Sequence, residues 1–397
     1  MTQKQLQEAY IVKATRTPVG KYRGVFQNVR PDDLLAHCLK SVTEDAPELR
    51  KNIDDVIVGC AMPEAEQGMN IARIGVLLAG FPDNVPGITI NRFCSSGSQA
   101  VAMAADRIRL GECDVMIAAG TESMSMVPMM GNKVSLNPAV YQEENMAIAY
   151  GMGITAEKVA EKWQVSREDQ DAFAVESHRR AIEATKSGKF AAEITPYEVS
   201  ATRLNEGNLQ LETLSKLVEN DEGPRASTVE VLGGLRTVFQ ADGSVTAANS
   251  SQMSDGAGAV LLVSEKILKE YNLEPIGKFI TSSVAGVEPE LMGIGPKEAI
   301  PQCLKLAGIK QSDLDWIELN EAFAAQSLAV IRELDLDMEK VNPWGGAIAL
   351  GHPLGATGAI RTATMMNGLQ QNSGKYGMVT MCIGTGMGFA MIVENIS

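Results

Sequence analysis

Short apolar runs alternate with stretches of helical spacing over most of the chain. Tyr10–Ala14 and Ile88–Phe93 read as strands, and Val56–Gly59 and Asp114–Ala119 as strands buried on both faces. Between them, Pro31–Ser41 places Leu34, Leu35, Cys38 and Leu39 on one helical face. Asn70–Ala79 and the Ala-rich Gln99–Arg109 are further helices. Strands alternating with helices predict α/β architecture.

The pattern breaks from about Ser125 to Ser244. Methionines cluster at 124, 126, 129 and 130, and a charged helical stretch follows from Thr155 to Lys186. This reads as an inserted, less regular segment. The α/β pattern resumes near Val245 with Asp255-Gly-Ala-Gly and the strand Ala259–Val263.

The remainder repeats the beginning. Asp315-Trp-Ile-Glu-Leu follows its counterpart at Asp55 by 260 residues, the turn at His352 follows that at Cys94 by 258, and Gly384-Thr385 follows Gly120-Thr121 by 264. Three near-equal offsets predict two copies of one layered α/β unit. The expected halves are 1–270, with the insertion at about 125–244, and 271–397. Turns at matching places in two copies face each other across a pseudo-two-fold axis, which would bring Cys94, His352 and Cys382 together.

Charge narrows the functions. The 397 residues carry 35 Lys and Arg against 49 Asp and Glu, a net charge of −14. That argues against nucleic-acid binding, which needs a basic stripe, so an anionic ligand requires a local basic patch. Six scattered cysteines with no Cys-x-x-Cys pair make no disulfide framework and suit a reducing compartment. Three histidines argue against a His-rich metal site, and no metal is expected. The polar start, Met1 to Ala9, matches neither a signal nor a transit peptide, and no apolar run reaches the ~20 residues of a membrane span. A cytoplasmic protein without a membrane partner is expected.

Three turns are candidates for chemistry. Cys94 sits in Asn91-Arg-Phe-Cys-Ser-Ser-Gly, between a strand and a helix, where the helix start favours thiolate. His352 sits in Gly345-Gly-Ala-Ile-Ala-Leu-Gly-His-Pro-Leu-Gly-Ala-Thr-Gly, which lacks the lysine and spacing of a phosphate loop. Cys382 precedes Ile-Gly-Thr-Gly-Met-Gly, whose amides are suited to an oxyanion hole. Asn320, in Asn-Glu-Ala-Phe-Ala, follows the strand Trp316–Leu319 and is placed to orient a water or a histidine. These residues alone permit a Cys-His-Asn hydrolase or an acyl-transfer enzyme with two working thiols. A structural scaffold is the non-enzymatic alternative. A hydrolase gives the second thiol no task, and a scaffold leaves all three turns without one.

Taken together and in order, these motifs, with Arg16-Thr-Pro and Asn249 to Gly258, resemble the thiolases over essentially the whole chain, in particular those acting on 3-ketoacyl-CoA. The resemblance implies the thiolase fold, two α/β halves with a loop domain inserted in the first. It implies Cys94 as acyl-accepting nucleophile, His352 as its activator, and Cys382 as general acid/base. Asn320 would hold a water that forms one oxyanion hole with His352, and the amides of Cys94 and Gly384 would form the other. Arg225 and Ser251 would contact coenzyme A, and Met152, Met292 and Phe323 would line the acyl pocket. Coenzyme A would be a co-substrate, and no permanently bound cofactor is implied. Acetoacetyl-type members carry a His just before Met-Gly. Gly151-Met152-Gly153 stands there instead, which favours a broader 3-ketoacyl-CoA substrate. Thiolytic cleavage in fatty-acid β-oxidation is the implied reaction, with condensation of two acetyl-CoA as the alternative. A homodimer or homotetramer is expected, and some bacterial members also bind a hydratase–dehydrogenase partner.

Overall fold

The computed structural model describes residues 6–205 and 210–397. Residues 1–5 of the polar start and 206–209 of the inserted segment lie outside them. The chain runs through β1 (Ala9–Arg16), the two-residue β2 (Gly20–Lys21), α1 (Pro31–Val42), β3 (Asp55–Gly59), α2 (Ile71–Leu78), β4 (Gly87–Ile90), α3 (Ser96–Arg109) and β5 (Val115–Ser123). A long excursion carries α4 (Met152–Lys162), α5 (Arg167–Lys186), the hairpin β6 (Tyr197–Asn205) and β7 (Gln210–Val218), and the short α6 (Val229–Gly233). β8 (Ser254–Ser264) then returns to the sheet, and α7 (Glu265–Tyr271) leads on. There follow β9 (Gly277–Gly286), α8 (Gly295–Ala307), β10 (Leu314–Leu319), α9 (Ala324–Leu334), α10 (Ala347–Leu350), α11 (Leu354–Asn372), β11 (Tyr376–Ile383) and β12 (Met387–Asn395).

The duplication appears in the strand order. One half-sheet runs β4-β3-β5-β8-β1 and the other β10-β11-β12-β9. β3 pairs parallel with β5 as β10 does with β11, and β5 pairs antiparallel with β8 as β11 does with β12. An isolated parallel bridge, Ile317 to Val341, stands where the first half has β4 beside β3. The half-sheets join where Tyr10 and Ile11 of β1 meet Lys278 and Gly277 of β9.

Side-chain alternation sorts the strands between layers. Ile57, Met116 and Ala118 point into a central core with Val379, Met381 and Phe389 from the other half. Val56, Val58, Val115 and Ile117 point outward to α1 and α2. Met378, Ala390 and Ile392 point outward to α8 and α9. α3 and α11 fill the layer between the half-sheets. Leu354 to Leu369 of α11 is buried without interruption, so the helix is walled on all sides. Its Gly, Ala and Thr residues permit that close packing.

The excursion departs from its expected form in two ways. The stretch from Thr155 to Lys186 is two helices, broken where Gln164 adopts φ +51° and Ser166 caps α5 by accepting from Asp169 N at 3.1 Å. It also contains the β6–β7 hairpin, which the hydrophobic pattern does not announce. Arg16 of β1 ties this segment down: Nε donates to Glu193 at 2.6 Å, and Nη1 and Nη2 donate to Asp221 at 2.7 and 3.0 Å. Arg16 is only 1% exposed, and breaking such a buried pair by removing one partner costs about 3–5 kcal/mol.

Candidate active site

Cys94 lies in a single 3₁₀ turn, Phe93–Ser95, between β4 and α3. Phe93 holds φ +45°, a left-handed conformation that costs a non-glycine residue about 1–3 kcal/mol and persists only when its surroundings fix it. They do so here. Asn91 Oδ1 accepts from Phe93 N at 2.8 Å, and Ser96 Oγ accepts from Arg92 N at 2.8 Å while donating to Phe93 O at 2.7 Å. The turn packs against both β11 and α11.

His352 enters from the other half. Gly351, at φ +96°, turns the chain so that His352 N donates to Gln252 O at 3.1 Å and to Ser254 Oγ at 3.2 Å. Its Nδ1 lies 2.7 Å from Thr357 Oγ1, one helical turn on, and its Nε2 lies 3.4 Å from Asn320 Nδ2. An amide nitrogen can only donate, so this arrangement leaves the lone pair on Nε2 and the hydrogen on Nδ1, shared with Thr357. Burial, with Arg361 adding to it, pulls His352 down to about 3. The ring is therefore neutral at pH 7. Asn320 Oδ1 is buried and has no hydrogen-bond partner among the described residues.

Cys382 ends β11. Asn320 N donates to Thr380 O at 2.9 Å, two residues before it. Cys382 packs in one apolar cluster with Ala156, Val245, Met292, Ala322 and Phe323, with Met152 against it. The three residues expected to line the acyl pocket thus lie in or against the cluster that holds Cys382. A Cβ on Gly384 would stand 3.6 Å from Met152 Sδ and 3.8 Å from the Phe93 ring, so the turn after β11 closes over the Cys94 turn.

The two sulfurs act on each other. Burial raises the Cys382 thiol, and charge on Cys94 raises it further. Cys94 as a residue is half-buried, but its sulfur is enclosed, and burial pushes it up to about 12. The amides of Gly384 and of Cys94 itself pull it down, and Glu122 adds to the rise. This corrects the sequence expectation of a resting thiolate. Cys94 precedes the first residue of α3, and the enclosure of its sulfur outweighs what the helix start offers. The resting site holds a neutral thiol.

The structure brings Cys94, Cys382, Gly384, His352, Asn320, Met152, Met292 and Phe323 together. Cys94 packs against a small cluster of Ala61, Met124 and Leu354, the last of these two residues past His352. Ser251 sits half-buried at the edge, its N donating to Ala322 O at 2.9 Å. Arg225 is farther out and exposed, its N donating to His178 Nδ1 at 3.2 Å. Ala226 and Ser227, which follow it, line a cavity of about 630 Å³ with His178, Arg179 and Lys186.

Sequence reasoning missed Thr357, although its place five residues after His352 at a helix start was a usable signal. It also missed Phe239, whose ring meets Phe323 edge-to-face at 6.2 Å and lies against Gly153. No local pattern marks that residue.

Comparison with known proteins gives the family. Residues 9–266 match the family model for the thiolase N-terminal domain, and residues 273–395 match that for the thiolase C-terminal domain. A 3-ketoacyl-CoA thiolase of Bacillus subtilis (strain 168) is 52% identical over 391 residues, 98% of this chain and 100% of that protein. The crystal structure of the Bacillus anthracis acetyl-CoA acetyltransferase superimposes with a TM-score of 0.88 at 37% identity, covering 99% of this chain and 100% of that one. That of human mitochondrial 3-ketoacyl-CoA thiolase also gives 0.88, at 36% identity and 98% and 99% coverage.

Proposed function

This chain belongs to the thiolase family of acyltransferases, and from that premise we propose that it cleaves 3-ketoacyl-CoA with coenzyme A through an acyl-Cys94 intermediate. The observation that carries the reading is the convergence of turns from both halves: the Cys94 turn packs on β11, which carries Cys382, and on α11, whose start follows His352, itself against Asn320.

His352 Nε2 takes the Cys94 proton, and the sulfur attacks the 3-keto carbon. The C2–C3 bond breaks. Its electrons form the acetyl-CoA enolate, and the acyl group stays on Cys94. Cys382 gives the enolate carbon its proton, then takes the proton of the incoming coenzyme A thiol, whose sulfur displaces the acyl group; Cys94 leaves as thiolate and takes its proton back from His352. Two thiols are needed because one is covalently occupied while the other moves protons. The amides of Cys94 and Gly384, which already aim at the Cys94 sulfur, serve the oxyanion formed there. The unpartnered Asn320 Oδ1 is an acceptor for the hydrogen of a water that, with His352, serves the enolate oxygen.

The Met152, Met292 and Phe323 cluster supports an apolar acyl group, and hence a place in fatty-acid β-oxidation. Ser251 and Arg225 are assigned to the pantetheine and phosphate portions of coenzyme A, with Lys186 near the latter. The six free thiols support a cytoplasmic setting, and among the described residues no helix is long and apolar enough to cross a membrane. A homodimer or homotetramer is supported by β4, which ends the sheet with Ile88 exposed, and by the exposed Leu77 and Leu78 of the neighbouring α2. A hydratase–dehydrogenase partner would supply the 3-keto substrate.

The second reading, acetoacetyl-CoA synthesis, is favoured by the likeness to the acetyltransferase structure. One assay separates the readings. Purified enzyme is mixed with 3-ketoacyl-CoA of C4 to C16, with and without coenzyme A. Thiolysis gives acetyl-CoA and a shortened acyl-CoA catalytically only when coenzyme A is present. Activity confined to C4 supports the acetoacetyl reading, and free acid formed without coenzyme A supports a hydrolase.

A further inference from the structure

Glu122, near the end of β5, is fully buried beneath the Cys94 turn. Its Oε2 accepts from Ala61 N at 2.7 Å and from Gly355 N at 2.9 Å, and its Oε1 accepts from Gln67 Nε2 at 2.7 Å and from Met62 N at 3.1 Å. All four partners are donors. Burial raises this carboxyl and the four donors pull it back down; a proton on either oxygen would face a hydrogen already there, so the donor geometry holds the group as a carboxylate.

Its placement joins the two halves of the site. Ala61 and Met62 form, with Met124 and Leu354, the apolar wall on which Cys94 packs. Gly355 lies in the first turn of α11, three residues past His352, where a negative charge is favoured by the helix dipole. A Cβ on Gly120, two residues before Glu122, would fall on Gly355 O, so β5 and α11 are already at backbone contact there.

We propose that Glu122 is a positioning residue of the thiolase site: its carboxylate clamps the wall behind Cys94 to the helix start that follows His352, and it sets a fixed negative charge behind the nucleophile's turn. The proposal rests on Cys94 being the acyl acceptor. The other titratable groups around the pair are Cys60 after β3, whose Sγ lies 4.0 Å from Glu122 Oε1, Cys382 on β11, His352 before α11, and Asp255 on β8, which bonds Ser123 and Ser125. Asp255 is a second buried carboxylate, but its partners belong to the strand end beyond Glu122 rather than to the Cys94 wall. A thiol held protonated resists adventitious alkylation, and the thiolate it yields is the stronger nucleophile for its higher basicity.

The test is the pH dependence of iodoacetamide alkylation at Cys94, followed by peptide mapping of the full chain. Glu122→Gln removes the charge and should lower the alkylation midpoint by about one pH unit, the scale of one nearby charge. It should also lower kcat with little change in KM. Glu122→Asp keeps the charge but withdraws it by one methylene, so the midpoint should move the same way by less. A residue that only supports the fold would lower stability and leave the midpoint in place. An unchanged midpoint in whichever variant folds overturns the proposal. So does failure of both to fold, because the carboxylate is then a fold element alone. Alkylation needs no turnover, so this result is separate from whether the parent enzyme forms an acyl-Cys94 adduct.

Discussion

Gly97 of α3 and Gly358 of α11 meet backbone to backbone. A Cβ on Gly97 would lie 2.6 Å from Ala359 N and 2.9 Å from Gly355 O, and one on Gly358 would fall on Ser98 N. The two glycines are 261 residues apart, within the 258 to 264 that relates the two copies of the fold. They are equivalent positions of a duplicated unit pressed together at its axis. The contact sets how closely the Cys94 turn approaches the helix start that follows His352.

Gly358→Ala should therefore push α11 off α3. The expected cost is about 1–3 kcal/mol of stability from overpacking, read from the urea midpoint. Activity should fall further than stability explains, by about 10²-fold, because a shift of ~1 Å in the reacting groups suffices for that. Full activity in a folded variant would show that the crossing does not position the site.

Cys382→Ser should still acquire an acyl group but turn over about 10²–10⁴-fold more slowly, the usual range for a lost proton-transfer group. Serine fits the cavity but is a poor proton shuttle near neutral pH. Intact-mass measurement after mixing with 3-ketoacyl-CoA reads the adduct, and steady-state thiolysis reads the turnover. Near-normal turnover would remove Cys382 from the mechanism.

The histidines set an acid limit. Folding lowers His352 to about 3 and His178 to about 4 from the ordinary 6.5. The unfolded chain binds protons there that the folded chain refuses, so the stability these groups contribute is present above pH 6.5 and is lost as pH falls toward their folded values. Urea midpoints measured from pH 7 down to pH 4 should decline, and His178→Gln should flatten part of the decline. Cys94 has the opposite sign. Its pKa is raised from 9.0 to about 12, so its contribution is present below pH 9 and fades as pH rises through the folded value.

Chain length should respond to the Cys382 cluster. Met152→Ala opens the wall that Met152 shares with Met292 and Phe323. The ratio of kcat/KM for a C12 to a C4 substrate should rise by about tenfold, within the range that one or two methylenes command in an apolar pocket. An unchanged ratio would place the acyl chain elsewhere.

Much of this site was legible because its chemistry sits in turns that mark themselves. Cys94, His352 and Cys382 each interrupt an apolar run with small residues, and the repeat offsets said which turns face each other. What escaped notice depends on tertiary context. α3 begins at Ser96, earlier than its composition suggests, because Ser96 Oγ closes the preceding turn onto Arg92 and Phe93. The β6–β7 hairpin carries cross-strand pairs of hydroxyls, Ser200 with Ser215 and Thr202 with Thr213, so hydrophobic alternation does not announce it. The protonation of Cys94 follows from enclosure by segments far apart in sequence, which no local motif encodes.

The central claim is that acyl transfer runs through Cys94, and rapid quenching tests it most directly. Enzyme mixed with 3-ketoacyl-CoA in the absence of free coenzyme A should release about one acetyl-CoA per site and leave the acyl group on the peptide containing Cys94. An acyl group mapped to Cys382 or any other residue, or free acid released with no adduct, would contradict the account.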